Sequence, residues 1–82
     1  MKKNMEYETY KTSDLALATT LSLYFPIEEI ERIDSKRVQV VFERVTKLDQ
    51  TISDYWKGSL VVEPHRFFDQ LKVIKTRIYS VI

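Results

Sequence analysis

The side chain that most readily transfers protons near neutral pH occurs once in this chain, as His65. A Ser–His–Asp arrangement would require His65 to contact both a nucleophile and an orienting carboxylate. His65 follows Pro64 in the first turn of a predicted helix, where polar side chains commonly face solvent. We therefore interpret His65 as a surface residue, and we expect neither a catalytic residue nor a multi-histidine metal site.

Four carboxylates form a second group that could carry chemistry: Glu28, Glu29, Glu31 and Asp34. Paired carboxylates perform acid–base catalysis or bind hard cations. The same residues also fit a strand at the edge of a sheet, where charged side chains discourage pairing with other chains. We favour the edge strand, and we expect no metal and no other cofactor.

One lysine falls among the apolar residues of the last predicted helix. At about 100° per residue, Lys75 projects close to Phe68, Leu71 and Tyr79. A buried ammonium group without a partner is costly, so this side chain must pair with a carboxylate or extend its ammonium group to solvent. We expect a buried or snorkelling lysine with a structural role, and a catalytic amine is the weaker alternative.

The opposite side of this helix carries a basic stripe. Its members follow one another at intervals of four, three and four residues, with Lys72 beside them: Arg66, Gln70, Val73 and Arg77. An exposed helix of this kind is able to enter a major groove or follow a phosphate backbone. Residues 1–35 hold four basic and seven acidic side chains, whereas residues 36–82 hold nine and five. The stripe is therefore either a nucleic-acid-binding surface or an ordinary solvated helix face.

Composition excludes several classes of protein. Without cysteine, the chain forms no disulfide, iron–sulfur cluster or zinc ribbon. Its single glycine, Gly58, excludes the glycine-rich phosphate-binding loops. The longest uncharged run, from Leu15 to Ile27, is too short to span a bilayer. We expect a cytoplasmic protein that has no membrane contact.

A chain of 82 residues has room for one hydrophobic core. We predict a disordered N-terminus at residues 1–5 and a single domain at residues 6–82. The predicted class is α+β, with a small antiparallel sheet packed with three helices. The predicted strands are 6–11, a central hairpin at about 27–45, and 59–62; the predicted helices are about 14–25, 47–57 and 64–80.

Capping signals support the predicted helices. The first helix begins at Thr12-Ser13-Asp14, where Thr12 or Ser13 is the predicted cap and Asp14 suits the positive end of the helix dipole. The third helix has Pro64 in its first turn. The second is predicted to begin with a capping box formed by Thr46 and Asp49 and to end at Gly58. Helical spacing also places Tyr55 and Trp56 on the apolar face of the second helix, so we expect both rings in the core, with Trp56 at the edge of that face and partly exposed. The alternative is a stacking platform formed by the two rings.

The first helix is apolar on nearly every side. Such a helix lies either at the centre of a core or against another chain. A homodimer is the simplest partner, since most oligomers are symmetric. We predict a contact between two copies through four leucines of this helix: Leu15, Leu17, Leu21 and Leu23.

Four segments together resemble a family of small bacterial and phage proteins classified only as a domain of unknown function. They are Tyr10 to Ala18, Arg37 to Glu43, Tyr55 to Gly58, and Leu71 to Tyr79. The chain departs from that family at Val40, where an aromatic residue is expected. The resemblance covers most of the chain and implies a microbial or phage domain, but it assigns no activity, ligand or site residue.

The sequence thus predicts a small non-enzymatic interaction module that self-associates. The alternative is a nucleic-acid-binding protein of a phage or mobile element that uses Arg66, Gln70, Lys72 and Arg77. An enzyme that uses the carboxylates or Lys75 is the third alternative and has the least support, since one glycine provides few tight loops on which to build a site.

Overall fold

The computed structural model describes residues 8–82, which form one sheet and three helices. In chain order the elements are β1 (Thr9–Thr12), α1 (Leu15–Ser22), β2 (Ile27–Arg32), β3 (Val38–Glu43), α2 (Thr46–Lys57) and α3 (Pro64–Val81). The α+β class and the three predicted helices are confirmed. The predicted disordered segment, 1–5, and the start of the first predicted strand lie outside the described residues.

The sheet is antiparallel and has β3 at its centre, with the order β1-β3-β2. Alternation along β3 directs Val40 and Phe42 into the core. Val41 points to the opposite face, where an ion pair between Lys11 of β1 and Glu31 of β2, 3.2 Å long, spans the central strand. The predicted hairpin and the edge position of the acidic strand β2 are both confirmed.

A β-bulge in β2 explains why two isoleucines three positions apart share one face. Ile27 pairs with Phe42 and Glu29 pairs with Val41, which leaves Glu28 as an extra residue in the ladder. Such an insertion reverses the alternation of the strand. As a result Ile27 and Ile30 both pack against the core.

Asp34 closes the turn between β2 and β3 without a glycine. Its Oδ1 accepts hydrogen bonds from the backbone N–H groups of Lys36 and Arg37, each 2.9 Å long. The Arg37 side chain donates to Oδ2, also at 2.9 Å. The Lys36 N–H bond and then the Arg37 side chain hold the pKa of Asp34 below its usual value.

The strand predicted at residues 59–62 is wrong. This segment connects α2 to α3, and it pairs with no strand of the described sheet. Leu60 and Val62 are half-buried while Val61 is exposed. The alternation that indicated a strand therefore comes from a loop that directs every second side chain towards the domain.

Helix α1 lies at the centre of the structure. All five residues from Leu17 to Leu21 are buried, and the helix contacts α2, α3 and β1. The buried hydroxyls of Thr19 and Thr20 donate to the carbonyls four residues earlier, at 2.8 and 2.9 Å, so they are not left unsatisfied. Asp14 caps the helix by accepting from the Leu17 N–H, so the helix starts at the predicted segment, but its cap is Asp14 and not Thr12 or Ser13.

This burial contradicts part of the predicted homodimer contact. Leu17 and Leu21 are 1% and 0% exposed within a single chain, so another copy has no access to them. The core of one chain covers Leu17 and Leu21, whereas Leu15 and Leu23 are half-buried. Self-association through Leu15 and Leu23 stays a prediction. Within residues 8–82, no helix is long and apolar enough to cross a bilayer.

The ends of α2 confirm one predicted signal and correct another. Gly58 adopts a left-handed conformation, with φ of 74°, as expected for a helix C-terminal cap. Val45 occupies the N-cap position without a side-chain hydrogen bond, so the predicted capping box is wrong. Asp49 instead binds Arg44, at 3.0 Å, because β3 places that arginine beside the first turn.

We expect α1 to dominate stability. Replacing Leu17 or Leu21 with alanine removes buried methyl groups and leaves a cavity, so each change should lower the free energy of unfolding by about 2–5 kcal/mol. Val61→Ala, at a side chain that is 86% exposed, is the matched control and should cost less than about 0.5 kcal/mol. Urea denaturation measures the free energy of unfolding of all three variants. If Leu17→Ala or Leu21→Ala is as stable as Val61→Ala, α1 does not dominate the stability of the fold.

Gly58 should be sensitive to backbone conformation alone. No atom lies within 4 Å of an added Cβ, so an alanine there meets no steric clash. The left-handed conformation should still make Gly58→Ala cost about 1 kcal/mol, whereas Gly58→Asn should cost less, because asparagine tolerates that region. Equal thermal unfolding midpoints for the two variants would argue against the left-handed cap.

Candidate binding surface on helix α3

Helix α3 buries one narrow side and exposes the rest. Glu63 caps its start and Pro64 fills the first position, as predicted for Pro64. Its inward residues recur every three or four positions and pack towards α1 and β2: Phe67, Leu71, Ile74, Ile78 and Val81. An 18-residue helix is about 27 Å long, so α3 presents an extended outer surface.

The structure places Lys75 outside the core. Its side chain is exposed, and within residues 8–82 it makes no ion pair. Phe68 and Tyr79, which were expected to cover it, are themselves 59% and 71% exposed. Of the two expected alternatives, a buried Lys75 is therefore wrong, whereas a snorkelling Lys75 stays a prediction. The inward side of α3 is centred on Ile74 and is narrower than the apolar arc of the sequence.

The way in which α3 faces the core also removes Gln70 from the predicted basic stripe. Gln70 is half-buried, and its Nε2 donates to the Ser22 hydroxyl of α1 at 3.0 Å. A side chain engaged in this way does not read a base edge. Arg66, Lys72 and Arg77 are exposed as expected.

The cations of α3 differ from those near the sheet. Around the sheet, Lys11, Arg37 and Arg44 each bind a carboxylate at 2.9–3.2 Å. On α3, by contrast, none of the four cations has an ion pair in the described part of the chain. The helix carries one carboxylate of its own, Asp69. The four cations are Arg66, Lys72, Lys75 and Arg77.

Two stripes border the exposed surface of α3. One, which we call the aromatic–lysine stripe, consists of Phe68, Lys72, Lys75 and Tyr79, at intervals of four, three and four residues. The other, the arginine stripe, consists of Arg66, Val73 and Arg77. The sequence predicted the arginines but missed the exposed rings. The intervals were visible in the sequence, but they do not distinguish an exposed stripe from a buried one.

The remaining predicted site residues do not converge. The His65 side chain is 92% exposed, and its Nδ1 lies 2.9 Å from a Glu63 oxygen. Glu29 and Glu31 share the outer face of the sheet, where Glu31 is paired with Lys11. In residues 8–82 no cluster of three or more metal-ligating side chains is present.

An open pocket of about 340 Å³ lies between the end of α1 and one side of α2. Tyr24 and Phe25 form one wall, and the other carries polar groups of α2: Lys47, Gln50, Thr51 and Asp54. The Thr51 hydroxyl already donates to the Lys47 carbonyl, at 2.8 Å. Beyond this pocket, Trp56 is exposed, contrary to the predicted core position, with its ring edge-on to Tyr55.

The cap of α3 should make stability depend on pH. The Glu63 carboxylate accepts from the backbone N–H groups of His65 and Arg66, at 3.1 and 3.0 Å, and from the His65 ring. These bonds, led by the His65 N–H, hold its pKa below the usual 4.5. The carboxylate thus stabilises the fold above about pH 4.5, and this contribution disappears as the pH falls through the lowered pKa.

Glu63→Gln should therefore be less stable than wild type at pH 7, and the difference should shrink below pH 4.5. Denaturation midpoints from pH 2.5 to 7 measure it. Glu43→Gln is the matched control, because Glu43 is exposed and forms no ion pair in residues 8–82. A stability difference for Glu63→Gln that is independent of pH would exclude the carboxylate cap.

Comparison with known proteins identifies a family but no activity. A family model described as a domain of unknown function, DUF5659, matches residues 7–80. No curated protein and no solved structure matches the chain. The matched segment includes the whole of the sheet and nearly all of α3. The chain therefore belongs to the DUF5659 family of domains of unknown function.

Proposed function

We propose that this domain is a non-enzymatic interaction module that binds an anionic macromolecule through the exposed side of α3. The observation that carries the proposal is the group of four α3 cations, none of which has an ion pair within residues 8–82. A partner with negative charge would relieve the repulsion among these cations, and its binding would break no existing ion pair of theirs within residues 8–82.

A purely structural role accounts poorly for these cations. Basic side chains stabilise a helix when they lie in its last turn, near the negative end of the dipole. The last turn of α3 contains no basic residue. Pairs with acidic residues one turn away would be a second structural role, but Asp69 forms no ion pair with any cation in the described part of the chain.

Nucleic-acid binding is the second candidate, and it is one specific form of anion binding. The exposure of Arg66, Lys72 and Arg77 favours a nucleic acid over a neutral protein partner. Phosphate contacts by lysine and arginine dominate such binding. Membership of a phage or mobile element, a cytoplasmic location and self-association stay predictions alongside it.

Retention on immobilised heparin, a polyanion without bases, tests the proposed function. We expect Arg66→Gln/Arg77→Gln and Lys72→Gln/Lys75→Gln each to elute at lower salt than wild type, with the quadruple variant losing most retention. Lys36→Gln/Lys57→Gln removes the same charge from exposed lysines outside α3 and is the matched control. Surface changes of this kind should shift stability by less than about 0.5 kcal/mol each. If the control double variant lowers retention as much as the α3 variants do, only net charge matters and the proposal fails.

A further inference from the structure

The aromatic–lysine stripe of α3 combines features that a general anion-binding surface does not need. We infer that this stripe binds single-stranded nucleic acid, with Phe68 and Tyr79 stacking on bases and Lys72 and Lys75 contacting the phosphates between them. The inference rests on the proposed function and names the partner of the same helix.

The exposure of the two rings is the first argument. Phe68 and Tyr79 are 59% and 71% exposed, although the helix has a core-facing side only one position away, at Phe67 and Ile78. Heparin or an acidic peptide would gain charge contacts from the lysines and has no flat group that requires two rings. Every nucleic-acid base has a π-face that stacks on an aromatic side chain.

The spacing along the helix is the second argument. Eleven residues separate Phe68 from Tyr79, a rise of about 16 Å. That distance corresponds to about five nucleotides at the stacked spacing of 3.4 Å, and to fewer in an extended strand. Lys72 and Lys75 lie between the rings on the same stripe, so one strand that stacks at both ends passes the two ammonium groups.

The kind of nucleic acid follows from what the surface lacks. Reading a duplex requires amide or guanidinium groups directed at base edges in a groove. The aromatic–lysine stripe has neither group: Gln70, the amide on α3, is held by Ser22 at 3.0 Å, and the guanidinium groups of Arg66 and Arg77 lie on the separate arginine stripe. Stacking on Phe68 and Tyr79 needs bases that are not already stacked on neighbours, which a single strand supplies and a duplex does not.

A second copy of this chain is a poor occupant of the stripe. In a symmetric contact the same patch of both copies meets. The lysines Lys72 and Lys75 would then lie close to the same lysines of the other copy, and within residues 8–82 neither has a carboxylate to neutralise it. Charge complementarity thus favours a polyanion.

Fluorescence anisotropy at low salt tests the inference. The probes are labelled oligo-dT of 20 nucleotides, a 20-base-pair duplex of mixed sequence, and a polyglutamate peptide of matched charge. We expect wild type to bind oligo-dT more tightly than the duplex or the peptide. Phe68→Leu/Tyr79→Leu keeps charge and apolar character but removes the rings, and should weaken oligo-dT binding by about tenfold or more. It should leave heparin retention unchanged.

Two further variants complete the design. Trp56→Leu removes an exposed ring outside α3 and is the matched control, which should bind oligo-dT like wild type. Lys72→Gln/Lys75→Gln should weaken binding and reduce the salt slope by about 1.4, the value for two contacts to a single strand. Circular dichroism confirms that each variant is folded.

The outcomes separate this inference from the proposed function. Heparin retention through α3 without oligo-dT binding overturns the inference and leaves the anion-binding module intact. Preference for the duplex or for polyglutamate overturns it in favour of a groove-binding helix or an acidic protein partner. Normal oligo-dT affinity in Phe68→Leu/Tyr79→Leu overturns the stacking contact. If the wild-type protein binds neither heparin nor oligo-dT, both proposals are rejected.

Discussion

Five consecutive residues of α1, from Leu17 to Leu21, are buried, and the other elements are arranged to cover them. A helix with buried residues at five consecutive positions must be covered on every side, and a chain of this size has few elements with which to cover it. The sheet, α2 and α3 are all needed for that task, which explains why α3 contributes one narrow side to the core. Because α3 lies at the border of the domain, the rest of its surface is free to contact a partner.

Covering α1 also determines how polar groups are handled inside the domain. The buried hydroxyls of Thr19 and Thr20 return to carbonyls of their own helix, so no partner from another element is needed. Ser22, at the end of α1, is different, because it accepts a hydrogen bond from Gln70. That contact joins the two helices and aligns α3 on α1. In this packing Phe68 and Tyr79 lie outside the core and form part of the candidate binding surface.

Paired and unpaired cations lie on different parts of the domain. On the sheet side, Lys11–Glu31 joins the two edge strands across β3, and such ion pairs are exposed and individually weak. On α3 the four cations form no ion pair within residues 8–82. A nearly balanced total charge therefore conceals a local excess, and net charge alone was a poor guide to binding. The local excess of positive charge supports the proposal of an anionic partner. Lys72 and Lys75 lie between two exposed rings, and this arrangement supports the proposal that the partner is a single-stranded nucleic acid.

Local signals were sufficient to predict the three helices, the central hairpin, Pro64 at the start of α3 and Gly58 at the end of α2, because capping, proline and alternation act through neighbours in the chain. It placed the strand at 59–62 wrongly, since alternation in a short loop resembles that of a strand. It also made the core-facing side of α3 too wide, because it included Phe68 and Tyr79. Apolar residues span such a wide arc of that helix that several rotations would bury them. Packing on α1 and β2, with a hydrogen bond between residues 48 positions apart, selected one rotation, and only the tertiary structure supplies such a contact.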